Sequence, residues 1–319
     1  MDVKAANDEK SLQTLEIVVK GLEKVGPQAE IRGTGSFGAV YEVEAHGLPC
    51  IAKCIHPVLI RYEQQIQGAR ADVTQQKNTI RRRFYSECLL LSNLRHPNIV
   101  QFLGVARVPS TGEMALIMES LFSDLGNLVE KHKELSDPIK ISLVLDVANG
   151  LLYLHSQNPP IVHRDLSAAN VLVSIDLRAK IADLGVAKLL DQGSIYSGQQ
   201  TAQPGAYAYM APEALTENPQ YDTKLDIFSF GAVLLYTINH EFPKVHEVSY
   251  ADIKEGQIQI AKRKRAIKAA EGHCLHPLAI QCFRDKPDER PNTREVRDSI
   301  KLICAHKPRR QLIEIDKVR

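Results

Sequence analysis

The chain has 319 residues, 44% of them hydrophobic, which is enough to bury a substantial core as one large domain or two lobes and too much for a disordered chain. Lys and Arg (40) nearly balance Asp and Glu (38) for a net charge of +2, so bulk charge asks for neither a nucleic acid nor an anionic membrane. Six cysteines (Cys50, Cys54, Cys88, Cys274, Cys282 and Cys304) form no CxxC pair and no zinc-spaced cluster with His, and they read as reduced thiols of a cytoplasmic protein.

The first residues, "MDVKAANDEK", are too acidic and polar for a signal peptide. No apolar run in the chain approaches the roughly 18 to 20 residues that span a bilayer, so no direct membrane insertion is expected. The chain as given is expected to be soluble, and it is compatible with having been cut from something anchored. Residues 11–25, "SLQTLEIVVKGLEKV", place Leu12, Leu15, Val18, Val19, Leu22 and Val25 at helical spacing. This predicts an amphipathic helix in an extension over residues 1–27, packed on its own domain or on a partner helix.

From residue 28 the pattern becomes strand-like. "GTGSFGAV" (33–40) sits between strand segments, and "AVYEVEA" alternates with a period of two. The glycines Gly33, Gly35 and Gly38 let a hairpin backbone lie close over a ligand, although the same pattern alone also suits a surface hairpin. "CIAK" puts Lys53 on the next strand. A polar, Gln-rich insertion is expected over 56–79, as a solvated excursion where a partner could act or as a loop without function. A helix follows from about Asn78 to Leu94, with Phe84, Cys88, Leu91 and Leu94 on one face and Glu87 able to pair with Lys53. "IVQFLGVA" and "MALIME" are further strands. Beyond Ser123 the periodicity turns helical, with "PIKISLVLDVANGLLYLHSQ" and "TKLDIFSFGAVLLYTINH" apolar enough to be central buried helices.

The ordered set "GTGSFGAV", "CIAK", Glu87, "HRDLSAAN" (163–170), "DLG" (183–185) and "APE" (211–213) resembles the eukaryotic protein kinase family over residues 28–303. The resemblance is closest to the tyrosine-kinase-like group, with tyrosine-kinase features in the catalytic loop. It implies an α+β, bilobal fold. The N-lobe (28–121) would be small and β-rich with one key helix, the C-lobe (122–303) larger and mainly α-helical, and 304–319 a tail or linker.

The resemblance also implies roles. Asp165 would accept the substrate hydroxyl proton, Asn170 and Asp183 would hold Mg²⁺, and Lys53 would hold the ATP phosphates with Glu87 as its ion partner. Gly33, Gly35 and Gly38 would cover the phosphates, and Val40 and Leu172 would sandwich the adenine beside Ile51. Met118 would be the gatekeeper, and the backbone of Glu119 and Leu121 would bond the adenine edge. Leu91, Phe102, His163 and Leu184 correspond to the family's hydrophobic spine, anchored by Asp226, and Glu213 with Arg290 to a structural ion pair. Arg164 would pair with a phosphate on Ser194, Tyr196, Ser197 or Thr201, placed by an upstream kinase or by self-phosphorylation. Partners would be protein substrates, with no nucleic acid.

Three departures stand out. Where serine/threonine kinases carry a lysine and tyrosine kinases an arginine after the catalytic Asp, this chain has Ser167 and Ala169. A missing donor to a developing anion costs about 10² to 10³ in rate. Ala206 replaces the threonine or proline that marks the acceptor type, while Tyr209 stands in a "YMAPE" run common among serine/threonine and tyrosine-kinase-like members. Ile51 replaces the alanine over the adenine, an overpacking worth roughly 1 to 3 kcal/mol if nothing adjusts. The balance favours a Ser/Thr kinase over a Tyr kinase. The alternative is a pseudokinase serving as a scaffold or allosteric module. The basic run "AKRKRAIK" (261–268) reads as a solvated face or as a nuclear localisation signal.

Overall fold

Three consecutive β-branched residues, Ile17, Val18 and Val19, decide the fate of the N-terminal segment. In a computed structural model of the chain, described over residues 3–25, 33–35, 38–55, 71–185, 187–189, 209–215, 222–239 and 265–305, helix α1 (Val3–Gln13) ends before them. Residues 15–20 are an extended strap. Ile17 N–H donates to Val105 O (2.8 Å) and Val105 N–H to Leu15 O (3.0 Å), while Lys20 and Glu44 exchange both backbone bonds (2.8 and 3.0 Å). The amphipathic helix expected over 11–25 is therefore corrected. β-branched side chains lose rotamer freedom in a helix and suit a strand edge, and Gly21, at φ +95°, turns the chain into a short 3-10 turn at Leu22–Lys24. Val18, expected inside, is 84% exposed, and Ile17 faces inward instead.

The chain divides into two compact units, Met1–Ser120 with Asp183–Val186, and Leu121–Ala182 with Ala187–Arg319. The first is built on a five-stranded antiparallel sheet in the order β1-β2-β3-β5-β4. Its strands are β1 (Gly33–Gly35), β2 (Gly38–Ala45), β3 (Leu48–Ile55), β4 (Phe102–Arg107) and β5 (Met114–Glu119). The alternation in β2 is strict: Ala39, Tyr41, Val43 and Ala45 are buried, and Glu42 and Glu44 exposed. His46 (φ 53°) and Gly47 (φ 77°) supply the two left-handed residues that a tight β2–β3 hairpin needs. The strap ties edge strand β4 to the end of β2 that β1 leaves uncovered. Ile17 and Val19 of the strap, with Leu22 and Val25 just after it, join the core formed by the buried faces of these strands.

Helix α2 (Ala71–Ser92) starts about seven residues before the expected helix, so the C-terminal part of the polar insertion is helical. The remainder of that insertion lies outside the described residues. Phe84, Cys88, Leu91 and Leu94 are all buried, as their spacing predicted. Helix α1 packs on α2.

The second unit is mainly helical. It holds α3 (Leu125–Lys131), α4 (Asp137–His155), α5 (Lys224–Asn239), α6 (His276–Cys282) and α7 (Thr293–Ala305). Asp124 caps α3 by accepting the Asn127 N–H (2.8 Å). Both α4 and α5 are buried on nearly every side, which their apolar runs required. Short strands complete the unit: β6 (Ser123–Asp124), β8 (Val171–Val173) and β9 (Ala179–Ile181) form one sheet, and β7 (Ile161–Val162) pairs with β10 (Lys188–Leu189). No helix among the described residues is long and apolar enough to cross a membrane.

Candidate active site

Lys53 lies on β3 between buried Ala52 and Cys54, and the ladder sets it opposite Val40 of β2 and Leu116 of β5. Its ammonium meets Glu87 of α2 at 2.8 Å (Oε1) and 2.9 Å (Oε2), and Asp183 Oδ1 at 2.9 Å. Lys53 is 4% exposed and Glu87 2%. Burial works to discharge the ammonium, but the carboxylates of Asp183 and Glu87 outweigh it and hold the Lys53 pKa above its ordinary value. Burial pushes Glu87 up to about 7, with Lys53 pulling it down and Asp183 adding repulsion. Asp183 occupies the left-handed region at φ 58°, which aspartate tolerates better than most residues.

Ile51 and Met118 are direct ladder partners, and Phe102 faces Met118 from the other side. Val40 and Ile51 are half-buried where their neighbours Ala39 and Ala52 are fully buried, and the ladder register puts both on the same face of the sheet as Lys53. The Glu119 N–H is taken by Gln101 O (3.1 Å). Gly33, Gly35 and Gly38 lie in the β1–β2 hairpin, with Gly35 opposite Gly38. Leu91, Phe102 and Leu184 are buried within this same unit.

In the second unit, Asn170 Nδ2 donates to Asp165 O (2.7 Å) and to Asp165 Oδ2 (3.1 Å), which fixes the loop 165–170 as one piece. His163 accepts the Asp165 N–H at Nδ1 (3.2 Å), and its Nε2 donates to Ala182 O (3.0 Å), a pattern one imidazole tautomer fulfils. Beneath them Asp226, at the start of α5, accepts the backbone N–H groups of His163 (2.8 Å) and Arg164 (2.9 Å). Burial acts to raise the Asp226 pKa, yet the bond from His155 and the charge-assisted contacts around it hold it below the ordinary value. Arg164 takes a left-handed backbone (φ 71°) under this clamp. Leu172 is the half-buried residue of β8 between buried Val171 and Val173.

The loop departures have a structural side. Ser167 is 6% exposed and accepts the Asn170 N–H through its carbonyl, whereas Ala169 is exposed. Arg290 is fully buried and bonds Glu213 Oε2 (2.8 Å), Lys224 O (3.0 Å) and Arg284 O (2.7 Å). Ser194, Tyr196, Ser197, Thr201 and Ala206, much of the basic run and most of the tail lie outside the described residues.

The sequence reading missed His155, whose Nε2 meets Asp226 Oδ2 (2.8 Å) while Nδ1 meets Thr293 Oγ1 (2.6 Å). It also missed the charges around Tyr85 on α2. No local pattern signals either one.

A family model described as "Protein tyrosine and serine/threonine kinase" matches residues 28–300. Serine/threonine-protein kinase 12 of Arabidopsis thaliana is 34% identical over 70% of this chain and 48% of its own length. Serine/threonine-protein kinase VIK of the same plant is 32% identical over 86% of this chain and 59% of its own. Serine/threonine-protein kinase TNNI3K of Mus musculus is 33% identical over 68% of this chain and 24% of its own. The chain belongs to the protein tyrosine and serine/threonine kinase family, with the mixed α+β fold that membership entails. These relatives agree with the tyrosine-kinase-like resemblance, and the chain spans about half the length of the first (48%).

Proposed function

We propose that this chain transfers the γ-phosphate of ATP to a protein hydroxyl, with serine and threonine favoured over tyrosine. The observation that carries the reading is the Lys53 ammonium held between Glu87 and Asp183 at 2.8 to 2.9 Å in a buried setting. A cation fixed in this way is organised before a polyphosphate arrives. In this reading Lys53 grips the ATP phosphates under the Gly33–Gly38 hairpin, and Glu87 positions it. Val40, Ile51, Met118 and Leu172 contact the purine, and the Glu119 carbonyl and the Leu121 backbone bond its edge. Asp165 accepts the substrate proton as the hydroxyl oxygen attacks the γ-phosphorus and ADP leaves.

Asn170 and Asp183 would hold Mg²⁺. Both offer hard oxygen donors, and Asn170 commits its amide nitrogen to Asp165, which leaves the amide oxygen to ligate. Among the described residues no cluster of three His, Cys, Asp or Glu can hold a metal alone, which suits an ion that shares its ligands with substrate phosphates. When bound, the ion neutralises phosphate charge.

The serine/threonine preference is supported by these three relatives, each named a serine/threonine-protein kinase. Phosphate on Ser194, Tyr196, Ser197 or Thr201, from an upstream kinase or from the chain itself, belongs to the same proposal through Arg164. So does a reducing, cytoplasmic setting, which suits six free cysteines.

A second reading, a non-catalytic scaffold, is favoured by Ser167 and Ala169, which leave the loop without its usual cation. Phosphosite-mapped autophosphorylation with Mg-ATP, using Asp165→Asn as control, separates the two. Phosphate on Ser and Thr that is absent from the control supports the kinase reading. Phosphate on Tyr overturns the acceptor preference, and no incorporation favours the scaffold.

A further inference from the structure

Residues 3–25 precede the segment 28–300 that the family model spans, yet they are built into the unit that carries Lys53 and Glu87. Helix α1 lies against α2, the helix of Glu87, with Leu12 completely buried. The strap after it is bonded into the sheet at Val105 and at Glu44.

Two ion-pair sets fasten this assembly. Arg107 of β4 reaches Glu9 of α1 (3.7 Å) and Glu16 of the strap (3.4 Å), and donates to Gly112 O (2.9 Å) in the β4–β5 turn. Arg81 of α2 donates through Nε to Glu113 Oε2 (3.0 Å), and its Nη2 bonds the other carboxylate oxygen. Tyr85 sits between the two sets, one helical turn from Arg81 and two residues before Glu87. Burial first, then the charges of Glu9 and Glu113, push its pKa up to about 12. Helix α1, β4 and α2 thus bring charged groups to one buried phenol.

We infer that α1 and the strap are a positioning element for Glu87: they brace α2 from the side away from Lys53, so the Lys53–Glu87 pair depends on residues 3–25. The inference rests on the kinase reading for its catalytic consequence but not for its structural one. Helix α1 itself is held by buried Leu12 and by partly exposed ion pairs, so this part of the brace is also adjustable. Whatever displaces α1 would release α2 and leave the sheet hydrogen bonds of β3 in place.

The test uses the full chain. Leu12→Ala removes the buried contact, and Arg107→Glu inverts the charge that Glu9 and Glu16 bind. Amide hydrogen exchange is followed in residues 83–92 of α2, with α4 and α5 as internal references. The expected result is exchange in α2 faster by about tenfold for Leu12→Ala and about fivefold for Arg107→Glu, with the reference helices unchanged. The triple variant Glu9→Arg, Glu16→Arg, Arg107→Glu restores the pairs with reversed sign and returns α2 exchange to within about twofold of wild type. With Mg-ATP, kcat/KM for ATP falls in step with α2 exchange, and KM for the protein acceptor stays constant. Unchanged α2 exchange in both single variants, an equal rise in all helices, or no recovery in the charge reversal overturns the inference. A wild-type chain that incorporates no phosphate defeats the kinase reading alone, because the exchange measurement still decides this one.

Discussion

Lys53 Nζ and Glu87 Oε1 lie 2.8 Å apart with both side chains almost wholly removed from water. A pair of this kind is costly to break from one side. Lys53→Met leaves two carboxylates, Glu87 and Asp183, facing each other without their cation, and at pH 8 the first unit is expected to lose about 3 to 5 kcal/mol. Adding Glu87→Met removes one of the stranded charges and is expected to recover more than half of that loss. Denaturant unfolding of the three proteins reads both numbers. An additive pair of substitutions would contradict the coupling.

The raised pKa of Glu87 gives the fold a pH slope of known sign. Between its ordinary value of 4.5 and its folded value of about 7, the folded chain keeps a proton that the unfolded chain has lost. Stability therefore falls as pH rises through that window, by on the order of 1 kcal/mol per unit at most. Glu87→Gln carries no such proton. The stability difference, wild type minus variant, is expected to shrink steadily from pH 4.5 to pH 7, and a difference independent of pH would refute the assignment.

Ile51 stands opposite Met118 in the β3–β5 ladder, on the face that also presents Lys53. Two large side chains in register narrow whatever lies against that face. Relief of an overpacking of roughly 1 to 3 kcal/mol corresponds to about fivefold or more in affinity. Ile51→Ala is therefore expected to lower KM for ATP by about tenfold with little change in kcat. An unchanged KM would mean that the pocket already accommodates isoleucine.

The elements that were legible in the sequence are those whose partners are near or whose pattern is complete. Strand β2 shows its period of two, α4 and α5 their long apolar runs, and the kinase motifs carry their own spacing. The strap was not legible, because Leu15 to Lys20 satisfy their backbone on Val105 and Glu44, partners that no local window contains. Helical spacing of Leu12, Leu15 and Leu22 was real, but the β-branched run between them and two open strand edges overrode it. His155 was hidden for a related reason, since its carboxylate partner is 71 residues away.

Asp226 gives the second unit an acid sensitivity opposite in sign to that of Glu87. Its folded pKa is depressed below 3.8, so the stability it contributes is complete above 3.8 and disappears as pH falls through the folded value. Asp226→Asn replaces one acceptor oxygen with a donor facing the His163 or Arg164 N–H, and is expected to cost about 3 kcal/mol at pH 7. Below the folded pKa the wild type loses the same charge, and the gap closes. Thermal unfolding of both proteins from pH 7 into the acid range tests this, and a gap that does not narrow as pH falls below 3.8 would rule out the carboxylate as its source.

Gly104 of β4 carries the closest approach in the N-terminal brace. A Cβ there would meet Ile17 Cγ2 at 2.8 Å, Ile17 Cγ1 at 2.9 Å and the Leu15 carbonyl oxygen at 3.0 Å. The first two atoms belong to a side chain, but the third is backbone held by its bond to Val105 and cannot give cheaply. Gly104→Ala is thus expected to destabilise the first unit by about 1 to 3 kcal/mol and to speed exchange at the Ile17 amide. Ile17→Ala opens the space the new methyl needs, so the double variant is expected to regain part of the loss and not all of it, because the carbonyl contact remains. Full recovery would place the whole conflict in the side chain. No recovery would place it in the backbone of the strap, and an unperturbed Gly104→Ala would show that the strap yields where its hydrogen bonds say it is fixed.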